Sequence, residues 1–420
     1  MFGYAIVGFV ITVIVAVIVQ PYLPTPAPKI VGIDLGTSFS SIAVYHQGTG
    51  EIEVIQNEWN QSTIPSVVSF LNNQILVGVK AREQLILHPR NTIYDSKRII
   101  GLNFDEVKEN HDNFPFEIIE REGKPFYSIE GKEYSPEQVG SEILKELMRI
   151  FQRRFGSPIQ RAVISVPVEF DEERRAATQR AAEMAGLDVF RIINEPTAAA
   201  LAYGVQEKKE VDLILVFDFG GGTLDVSLLG KESNMFITIA IAGNNRLGGE
   251  DFTNLLQEHF IQKFTENKVD IDKLTPNEVL SIRKTVEETK ILLSDETEVT
   301  GNFSVNNEIF KFKITRDDLE TICQELFNKM LEPIRAVLEE STFKIEQIDE
   351  IILVGGTTRM PGVRSRIKDF FFGKEPNYSI DPDVAVARGV AFQAAILADL
   401  GRITTAAIEL PSKVKKIRLE

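Results

Sequence analysis

Runs of apolar, β-branched residues alternate with glycine-rich turns along most of the chain. The clearest example, residues 213–229, reads LILVFDFGGGTLDVSLL: two apolar runs separated by Asp218, a phenylalanine and three glycines. Short apolar runs bounded by a glycine turn are typical of buried strands. The pattern therefore predicts a β-hairpin whose turn consists of bare backbone.

The turn of this hairpin has the chemistry of a phosphate-binding site. Three successive glycines, Gly220, Gly221 and Gly222, leave several peptide N–H groups open to an anion. Asp218 and Asp225 lie beside the turn and would repel phosphate unless a divalent cation, most simply Mg²⁺, lay between them. Taken alone, the turn is equally consistent with a tight hairpin that binds nothing.

The same arrangement occurs a second time, nearer the start of the chain. Residues 30–45 read IVGIDLGTSFSSIAVY, in which an apolar run ends at Asp34, Gly36 and Thr37 and a second apolar run follows. A motif that recurs about half a chain length away predicts two similar lobes that face each other across a cleft. We therefore expect one nucleotide to be held from both sides.

Further candidate residues lie where a strand gives way to a helix. Glu195 stands between a predicted strand, residues 189–193, and a predicted helix from Thr197 to Tyr203. Ligands of open α/β sheets bind at the carboxyl ends of strands, so Glu195 is a candidate ligand-facing residue, although capping of the helix would also explain it. Amphipathic periodicity and cap residues predict further helices over residues 136–155, 172–185, 253–264 and from residue 276 onwards.

Two features of the second half would contribute to nucleotide binding only if they lined the cleft. Arg283, Glu287, Lys290 and Ser294 form one polar stripe on the last of these helices, and such a stripe is normally the solvated face. Residues 350–361, EIILVGGTTRMP, predict a buried strand that ends in glycines, where backbone can lie against a ribose or phosphate.

Composition narrows the classes of function. The 420-residue chain is 43% hydrophobic and 25% charged, which is typical of a folded protein with room for two domains. Its formal net charge of -15 argues against a nucleic-acid binder, which needs a basic surface. The single cysteine, Cys323, lies in an apolar helical pattern and excludes an internal disulfide and a cysteine zinc site, and the four histidines are too scattered for a metal site or a catalytic triad.

An apolar segment, residues 2–19, precedes a proline-rich spacer that extends to Pro28. Its length lies between that of a signal-peptide core and that of a short membrane-spanning helix, and the sequence favours neither. No Lys or Arg precedes the segment, and no clear small-residue cleavage site follows it. We expect entry into the secretory pathway, with a buried helix of the fold as the alternative. The predicted divisions are a signal or anchor segment with its spacer, two lobes and a short tail, at residues 1–28, 29–207, 208–400 and 401–420.

Together the motifs resemble the nucleotide-binding domain of the 70-kDa heat-shock (stress-70) family, within the actin-like ATPase superfamily. GIDLGT, YDSKR, ISVPVEF, INEPTAAALAYG, FDFGGGTLDVSLL, LGGEDF and LVGGTTRMP follow one another in the family order between Val31 and about Leu400. The resemblance implies an α/β fold of the actin-like (ribonuclease H-like) type, with two lobes of duplicated mixed sheets around a central nucleotide cleft. The layout is most similar to the microsomal members of the family, in which a short tail stands in place of a peptide-binding domain.

The resemblance assigns metal-binding and catalytic roles to side chains of this sequence. Hydrated Mg²⁺ would be held by Asp34, Glu195 and Asp218. Asp225 and Thr223 fit positions of the potassium type, so that K⁺ is an implied second ion. Lys97 would orient the attacking water near the γ-phosphate. The implied catalytic residues are Lys97, Thr37, Glu195 and Asp218.

The resemblance also implies the contacts of ATP or ADP. The implied phosphate clamps are Gly36, Thr37, Ser38, Gly220, Gly221, Gly222 and Thr223. The residues implied to face adenosine are Glu287, Lys290, Ser294, Gly355, Gly356, Arg359 and Asp383. Two positions depart from the family pattern: Ile291 replaces an arginine that packs on the adenine, and Phe39 replaces a tyrosine. Loss of a cation–π-like contact would weaken nucleotide binding by up to about 1–2 kcal/mol.

The leading hypothesis is a Mg²⁺-dependent ATPase of the endoplasmic reticulum or microsome lumen that contacts the membrane only through its N-terminal segment. Its implied protein partners are co-chaperones, nucleotide-exchange factors and ubiquitin-like proteins, because the sequence past residue 400 offers no peptide-binding domain. A nucleotide-sensing interaction module with negligible turnover is the alternative from a different class. A sugar-kinase-like phosphotransferase is a third, for which the first lobe shows no catalytic aspartate.

Overall fold

The computed structural model describes residues 27–71, 74–108, 114–233, 235–267, 271–306, 308–398, 408–409, 414 and 416–419. The predicted apolar segment at residues 2–19, almost all of the proline-rich spacer, and much of the predicted tail lie outside these residues. Within the described part of the chain, no helix combines the length and the apolar character needed to cross a membrane.

The first half contains a mixed sheet, called here the first sheet, and two small antiparallel sheets. Its strands are β1 (Val31–Leu35), β2 (Phe39–Tyr45), β3 (Ile52–Val54), β4 (Ile64–Pro65), β5 (Val68–Leu71), β6 (Gln74–Val77), β7 (Thr92–Ile93), β8 (Glu117–Arg121), β9 (Lys124–Ile129), β10 (Lys132–Tyr134), β11 (Arg161–Val166) and β12 (Asp188–Asn194). Its helices are α1 (Val79–Arg82), α2 (Gln84–Leu87), α3 (Ser96–Ile99), α4 (Phe104–Lys108), α5 (Pro136–Phe155), α6 (Glu172–Ala185) and α7 (Glu195–Ala202).

The second half contains another mixed sheet, called here the second sheet, and one hairpin. Its strands are β13 (Leu213–Phe219), β14 (Leu224–Glu232), β15 (Met235–Asn244), β16 (Glu298–Val305), β17 (Glu308–Thr315), β18 (Glu350–Val354), β19 (Ile408–Glu409) and β20 (Lys416–Arg418). Its helices are α8 (Gly249–Glu266), α9 (Pro276–Asp295), α10 (Arg316–Ile322), α11 (Gln324–Lys329), α12 (Glu332–Ser341), α13 (Pro361–Phe370) and α14 (Ala385–Leu397). Short 3-10 turns occur at Pro89–Asn91, Val205–Glu207, Ile271–Lys273, Ile345–Gln347 and Gly356–Arg359.

The two mixed sheets share one pairing pattern, which confirms the predicted duplication. In the first sheet, with strand order β12-β11-β1-β2-β3, β1 runs antiparallel to β2 and parallel to β11. In the second sheet, with strand order β18-β13-β14-β15, β13 runs antiparallel to β14 and parallel to β18. Each glycine turn is therefore the connection of an antiparallel hairpin whose first strand also has a parallel neighbour.

Local capping explains why the predicted helices form. The Ser135 and Thr275 side chains accept hydrogen bonds from the third helical N–H of α5 and α9, respectively. In return, the side chains at those third positions, Gln138 and Glu278, accept a hydrogen bond from the backbone N–H of the cap residue. The Asp171 side chain also accepts from the third helical N–H of α6, that of Arg174, without a bond in return. Two boundaries differ from the prediction: α7 begins at Glu195 because the strand ends directly before it, and α8 begins at Gly249, where Asp251 accepts from the backbone of the cap residue.

The last helix joins the two sheets. Ala387 and Ala391 of α14 pack against Ala43 on β2, and Val386 and Val390 belong to a core that also includes residues of both sheets. The sequence placed this helix with the second lobe, but its small side chains let it approach the first sheet closely. The predicted lobe boundaries as a whole stay predictions.

A strand near the C-terminus completes one edge of the second sheet. β20 runs parallel to β15, with Lys416 opposite Ile241 and Arg418 opposite Gly243. The prediction treated residues 401–420 as a tail with a basic end. The alternation of polar and apolar residues from Lys416 to Leu419 is the local signal for this strand.

Candidate functional site

The two glycine turns meet in one crevice. A Cβ atom added to Gly221 would lie 3.0 Å from Oγ and 3.1 Å from Cβ of Ser38, so the turns approach each other closely. Arg98 spans the same gap: its Nη2 donates to the carbonyl oxygen of Gly222 at 3.1 Å, and its Nη1 donates to the carbonyl oxygen of Asn245. The first and second sheets therefore present their turns to a shared space.

Three acids and a lysine lie at the base of this crevice. Asp34 lies near the end of β1, Asp218 near the end of β13, and Glu195 at the start of α7. The Lys97 ammonium, on α3, donates a hydrogen bond to Glu195 Oε1, and the two side chains are only 10% and 17% exposed. Ser165 Oγ donates to Asp34 Oδ1 at 2.8 Å. The fold thus brings four predicted site residues together from four separate elements.

This cluster contains more acidic groups than basic ones. Burial raises the pKa of Glu195 to about 7, and Asp34 adds to the rise while Lys97 opposes it. Burial, followed by Glu195, Asp225 and Asp34, raises the pKa of Asp218 well above its usual range. Burial alone would lower the pKa of Lys97, but the surrounding carboxylates outweigh it and the pKa is raised. Lys97 therefore remains an ammonium, and further positive charge would stabilise the acids.

The cluster fits a hydrated metal ion better than a directly bound one. Among the described residues, no group of three His, Cys, Asp or Glu side chains is arranged to ligate a metal directly. Mg²⁺ keeps several of its waters and is commonly bound by one or two carboxylates together with phosphate oxygens. The raised carboxylate pKa values of Asp34, Glu195 and Asp218 are the physical sign that a cation would be accepted there.

The remaining residues of the predicted phosphate clamps line the two turns. Gly36 accepts a hydrogen bond from Ser66 Oγ at 2.8 Å, which fixes the first turn. Gly220 donates its N–H to the carbonyl oxygen of Thr223 at 3.0 Å, which closes the second. Thr37, between Gly36 and Ser38 in the first turn, is half-buried.

The polar stripe of α9 reaches the second turn through one buried lysine. Lys290 Nζ donates to the carbonyl oxygen of Gly249 at 2.8 Å and to Thr253 Oγ1 at 2.9 Å, and lies 2.9 Å from Glu287 Oε2. The N–H of Gly249 in turn donates to the carbonyl oxygen of Gly220 at 3.0 Å. Burial would raise the pKa of Glu287, but Lys290 and the Thr253 hydroxyl lower it.

The glycines after β18 lie on the other side of the same turn. A Cβ on Gly356 would lie 2.5 Å from Asp383 Oδ1. Arg359 joins this group, since its Nε donates to Asp383 Oδ2 at 3.0 Å and its Nη2 also bonds Asp381. At Ser294, by contrast, the backbone carbonyl oxygen accepts a hydrogen bond from Arg316 Nη2 at 3.2 Å, and Arg316 is not one of the predicted adenosine contacts.

The two departures from the family pattern face solvent. Ile291 is 54% exposed on α9. Phe39 is 38% exposed, and the Arg82 guanidinium lies 5.6 Å from the centre of its ring.

Sequence reasoning missed several residues of the crevice. It assigned no role to Arg98 or to Ser165. Lys416, from the predicted tail, has its Nζ 2.5 Å from Asp225 Oδ1 and 3.2 Å from Glu169 Oε2. These contacts join residues far apart in sequence, and no local pattern marks them.

The paired sheets, the facing turns and the acid–lysine cluster define a nucleotide-binding domain of the actin-like ATPase fold. The family model described as "Hsp70 protein" matches residues 30–409, and the chain belongs to the Hsp70 family. Members of this family are ATPases whose nucleotide-binding domains take ATP or ADP with Mg²⁺, and the predicted family membership is confirmed.

The chain is similar to two groups of relatives, one over almost their whole length and the other over little more than half of it. Heat shock 70 kDa protein 13 of Homo sapiens is 40% identical over 443 residues, which cover 94% of each chain, and its Mus musculus counterpart is 39% identical with the same coverage. The heat shock 70 kDa protein of Neurospora crassa is 42% identical over 377 residues, which cover 87% of this chain and 58% of that protein.

Proposed function

We propose that this protein binds ATP with Mg²⁺, hydrolyses it, and acts through partner proteins in the secretory pathway. The observation that carries the proposal is the Lys97–Glu195 pair, buried with Asp34 and Asp218 between two glycine turns. This is the arrangement that a triphosphate requires: open backbone donors on both sides, with acids and one ammonium at the reacting end.

Binding of the phosphate chain is assigned to the two turns. Gly36, Thr37 and Ser38 would contact it from the first sheet, and residues 220–223 from the second. Because Gly221 and Ser38 lie so close, the phosphates would sit in the mouth of the crevice and contact both turns there. The adenosine would lie against the side formed by Lys290 and Glu287 and by the glycines after β18.

Hydrolysis is assigned to the buried cluster. A bound Mg²⁺ would neutralise phosphate charge, held through its waters by Asp34, Glu195 and Asp218. Lys97 stays protonated, so its ammonium can orient the attacking water and stabilise negative charge that develops on the γ-phosphate. Glu195 holds that ammonium in place through their hydrogen bond, and added positive charge would keep the Glu195 carboxylate ionised at neutral pH.

The cellular setting is proposed from the sequence. The apolar segment at residues 2–19 supports entry to the endoplasmic reticulum or microsome lumen, and membrane contact would be confined to it. A change of lobe closure on hydrolysis would be the signal that co-chaperones, nucleotide-exchange factors or ubiquitin-like proteins detect.

Replacement of Lys97 by alanine tests the catalytic assignment. We expect phosphate release from ATP in single turnovers to fall by roughly 100-fold or more, as for loss of one transition-state contact, while ADP affinity changes far less. Lys145→Ala is the matched control, because Lys145 lies on α5, where it is 36% exposed and forms an ion pair with Glu142 at 2.6 Å. Equal rates for the Lys97→Ala protein and the unaltered protein would refute the role of Lys97.

The same measurements address the nucleotide-sensing alternative. The exposed Ile291, where the family has an adenine-packing arginine, favours a protein with altered nucleotide handling. Tight MgADP binding in calorimetry with no phosphate release by the unaltered protein would select a sensor over an enzyme.

A further inference from the structure

A buried lysine from the C-terminal strand reaches the wall of the crevice. The Lys416 side chain is 4% exposed, and its Nζ lies 2.5 Å from Asp225 Oδ1, 3.2 Å from Glu169 Oε2 and 2.8 Å from Asn245 Oδ1. An ammonium has three N–H donors and no acceptor. All three donors therefore have an oxygen partner, two of them charged.

The backbone around this lysine leaves room for its side chain. Strand β20 pairs with β15, and a Cβ added to Gly243 on β15 would lie 2.7 Å from Lys416 Cε and 2.8 Å from Asp225 Oδ1. Any side chain at residue 243 would thus fill the space through which Lys416 passes. The absence of a side chain at Gly243 therefore leaves the space that the Lys416 side chain occupies.

The Lys416 ammonium lies where the surrounding negative charge would attract a cation. Asp225 is the register partner of Asp218 across the β-hairpin, so the ammonium lies next to the negative cluster of the crevice. Two carboxylates within 3.2 Å of the ammonium supply the negative charge that a cation at this position would balance. Glu169 follows the first sheet and Asp225 lies on the second, so one ammonium links the two halves.

The family resemblance implied a potassium-type position at Asp225, and the residues found there do not fit a metal ion. Lys416 Nζ occupies the space among these oxygens that a metal ion would need, and its positive charge would repel a second cation there. We propose that the Lys416 ammonium permanently replaces a monovalent metal ion beside Asp225, so that the crevice of this protein is assembled without K⁺. The proposal takes the location of the site from the proposed function, but its test uses nucleotide-free protein and can fail independently.

The test compares thermal unfolding of the nucleotide-free protein in KCl and in choline chloride at equal ionic strength. The unaltered protein should unfold at the same temperature in both salts. Lys416→Met should unfold at a lower temperature in choline chloride and recover roughly 2–4 °C in KCl, because K⁺ can then enter the vacated position. Arg418→Met is the control, since Arg418 lies on the same strand with an exposed side chain and should show no salt preference.

Two results would overturn the proposal: a K⁺-specific stabilisation of the unaltered protein, or the absence of any K⁺ preference in the Lys416→Met variant. Crystals soaked in Tl⁺, a K⁺ substitute with a strong anomalous signal, provide a test that needs no variant. The unaltered protein should show no anomalous peak between Asp225 and Glu169, and a peak there would contradict the replacement. MgADP calorimetry on the same samples reports the proposed nucleotide binding separately.

Discussion

The proposed phosphate side and the proposed adenosine side of the crevice balance charge to different degrees. On the phosphate side, Asp34, Glu195 and Asp218 surround the single ammonium of Lys97, and the carboxylate pKa values rise. On the adenosine side the acids have direct cationic partners. These pairs are Lys290 with Glu287, and Arg359 with Asp381 and Asp383.

The comparison shows which side needs its ligand. Buried carboxylates without enough positive charge raise the free energy of the folded protein, and a bound cation removes that cost. On the proposed adenosine side, burial would raise the pKa of Glu287 but Lys290 and Thr253 lower it, whereas burial raises the pKa of Asp383 although Arg359 opposes the rise. Ion pairs thus offset more of the buried charge there than on the proposed phosphate side, and nucleotide contacts there have less of it to relieve. Changes on the phosphate side should therefore have larger effects than changes on the adenosine side.

The largest expected effect comes from closing the phosphate side sterically. Gly221→Val would place a branched side chain where a Cβ alone lies 3.0 Å from Ser38 Oγ, and would cover the open backbone of the turn. We expect MgADP affinity, measured by calorimetry, to fall by at least about 100-fold, or ~2.7 kcal/mol.

The control for this substitution is Gly48→Val. A Cβ at Gly48 would meet nothing within 4 Å, so the change adds the same side chain without a clash. If both variants bind MgADP as tightly as the unaltered protein, the facing turns do not hold the phosphates.

The folding of the two turns was predictable because its causes are local. The three glycines lie within a few positions of the apolar strands that flank them. The cap residues Ser135, Asp171 and Thr275 likewise each bond within three positions, at the start of their own helix. The two predicted turns therefore form, and their duplication leads to one crevice.

The charges that complete the crevice were not predictable in this way. Arg98 bonds the carbonyl oxygen of Gly222, and Lys416 contacts Asp225, across separations of 100 residues or more in the chain. Such contacts depend on how strands pair and on where α14 and β20 dock. A sequence read locally shows Lys416 only as part of a basic end.

The second effect tests the charge imbalance of the phosphate side directly. Asp218 has a folded pKa above its unfolded value, so the unfolded chain ionises first and the folded protein loses stability as pH rises between the two values. Asp218→Asn carries no such penalty. In nucleotide-free, metal-free protein, its unfolding temperature should rise relative to that of the unaltered protein as pH increases from about 5.5 to 8.5.

The difference between the two proteins should be largest at the alkaline end, because the penalty for the buried Asp218 carboxylate grows with pH until the folded protein also ionises it. Asp188→Asn is the control, because the Asp188 side chain is 67% exposed and its removal should give no pH-dependent difference. A flat or falling difference for Asp218→Asn would show that its carboxylate is already neutralised.

The smallest effect is expected on the adenosine side. Ile291→Arg restores the residue type that the family pattern has on α9, and a guanidinium stacked on the adenine would strengthen ADP binding by up to about tenfold, or ~1.4 kcal/mol. Leu292→Arg is the matched control, since Leu292 is the adjacent residue and is 48% exposed, against 54% for Ile291. Equal gains for both variants would indicate a general charge effect instead of stacking.

Hydrogen–deuterium exchange with and without saturating MgADP measures the central claim most directly. The claim is that two glycine turns, one from each sheet, hold the same phosphate chain. It predicts that amides of residues 36–38 and of residues 220–223 become protected together when MgADP is added. Protection of one turn alone, or of neither, would contradict it.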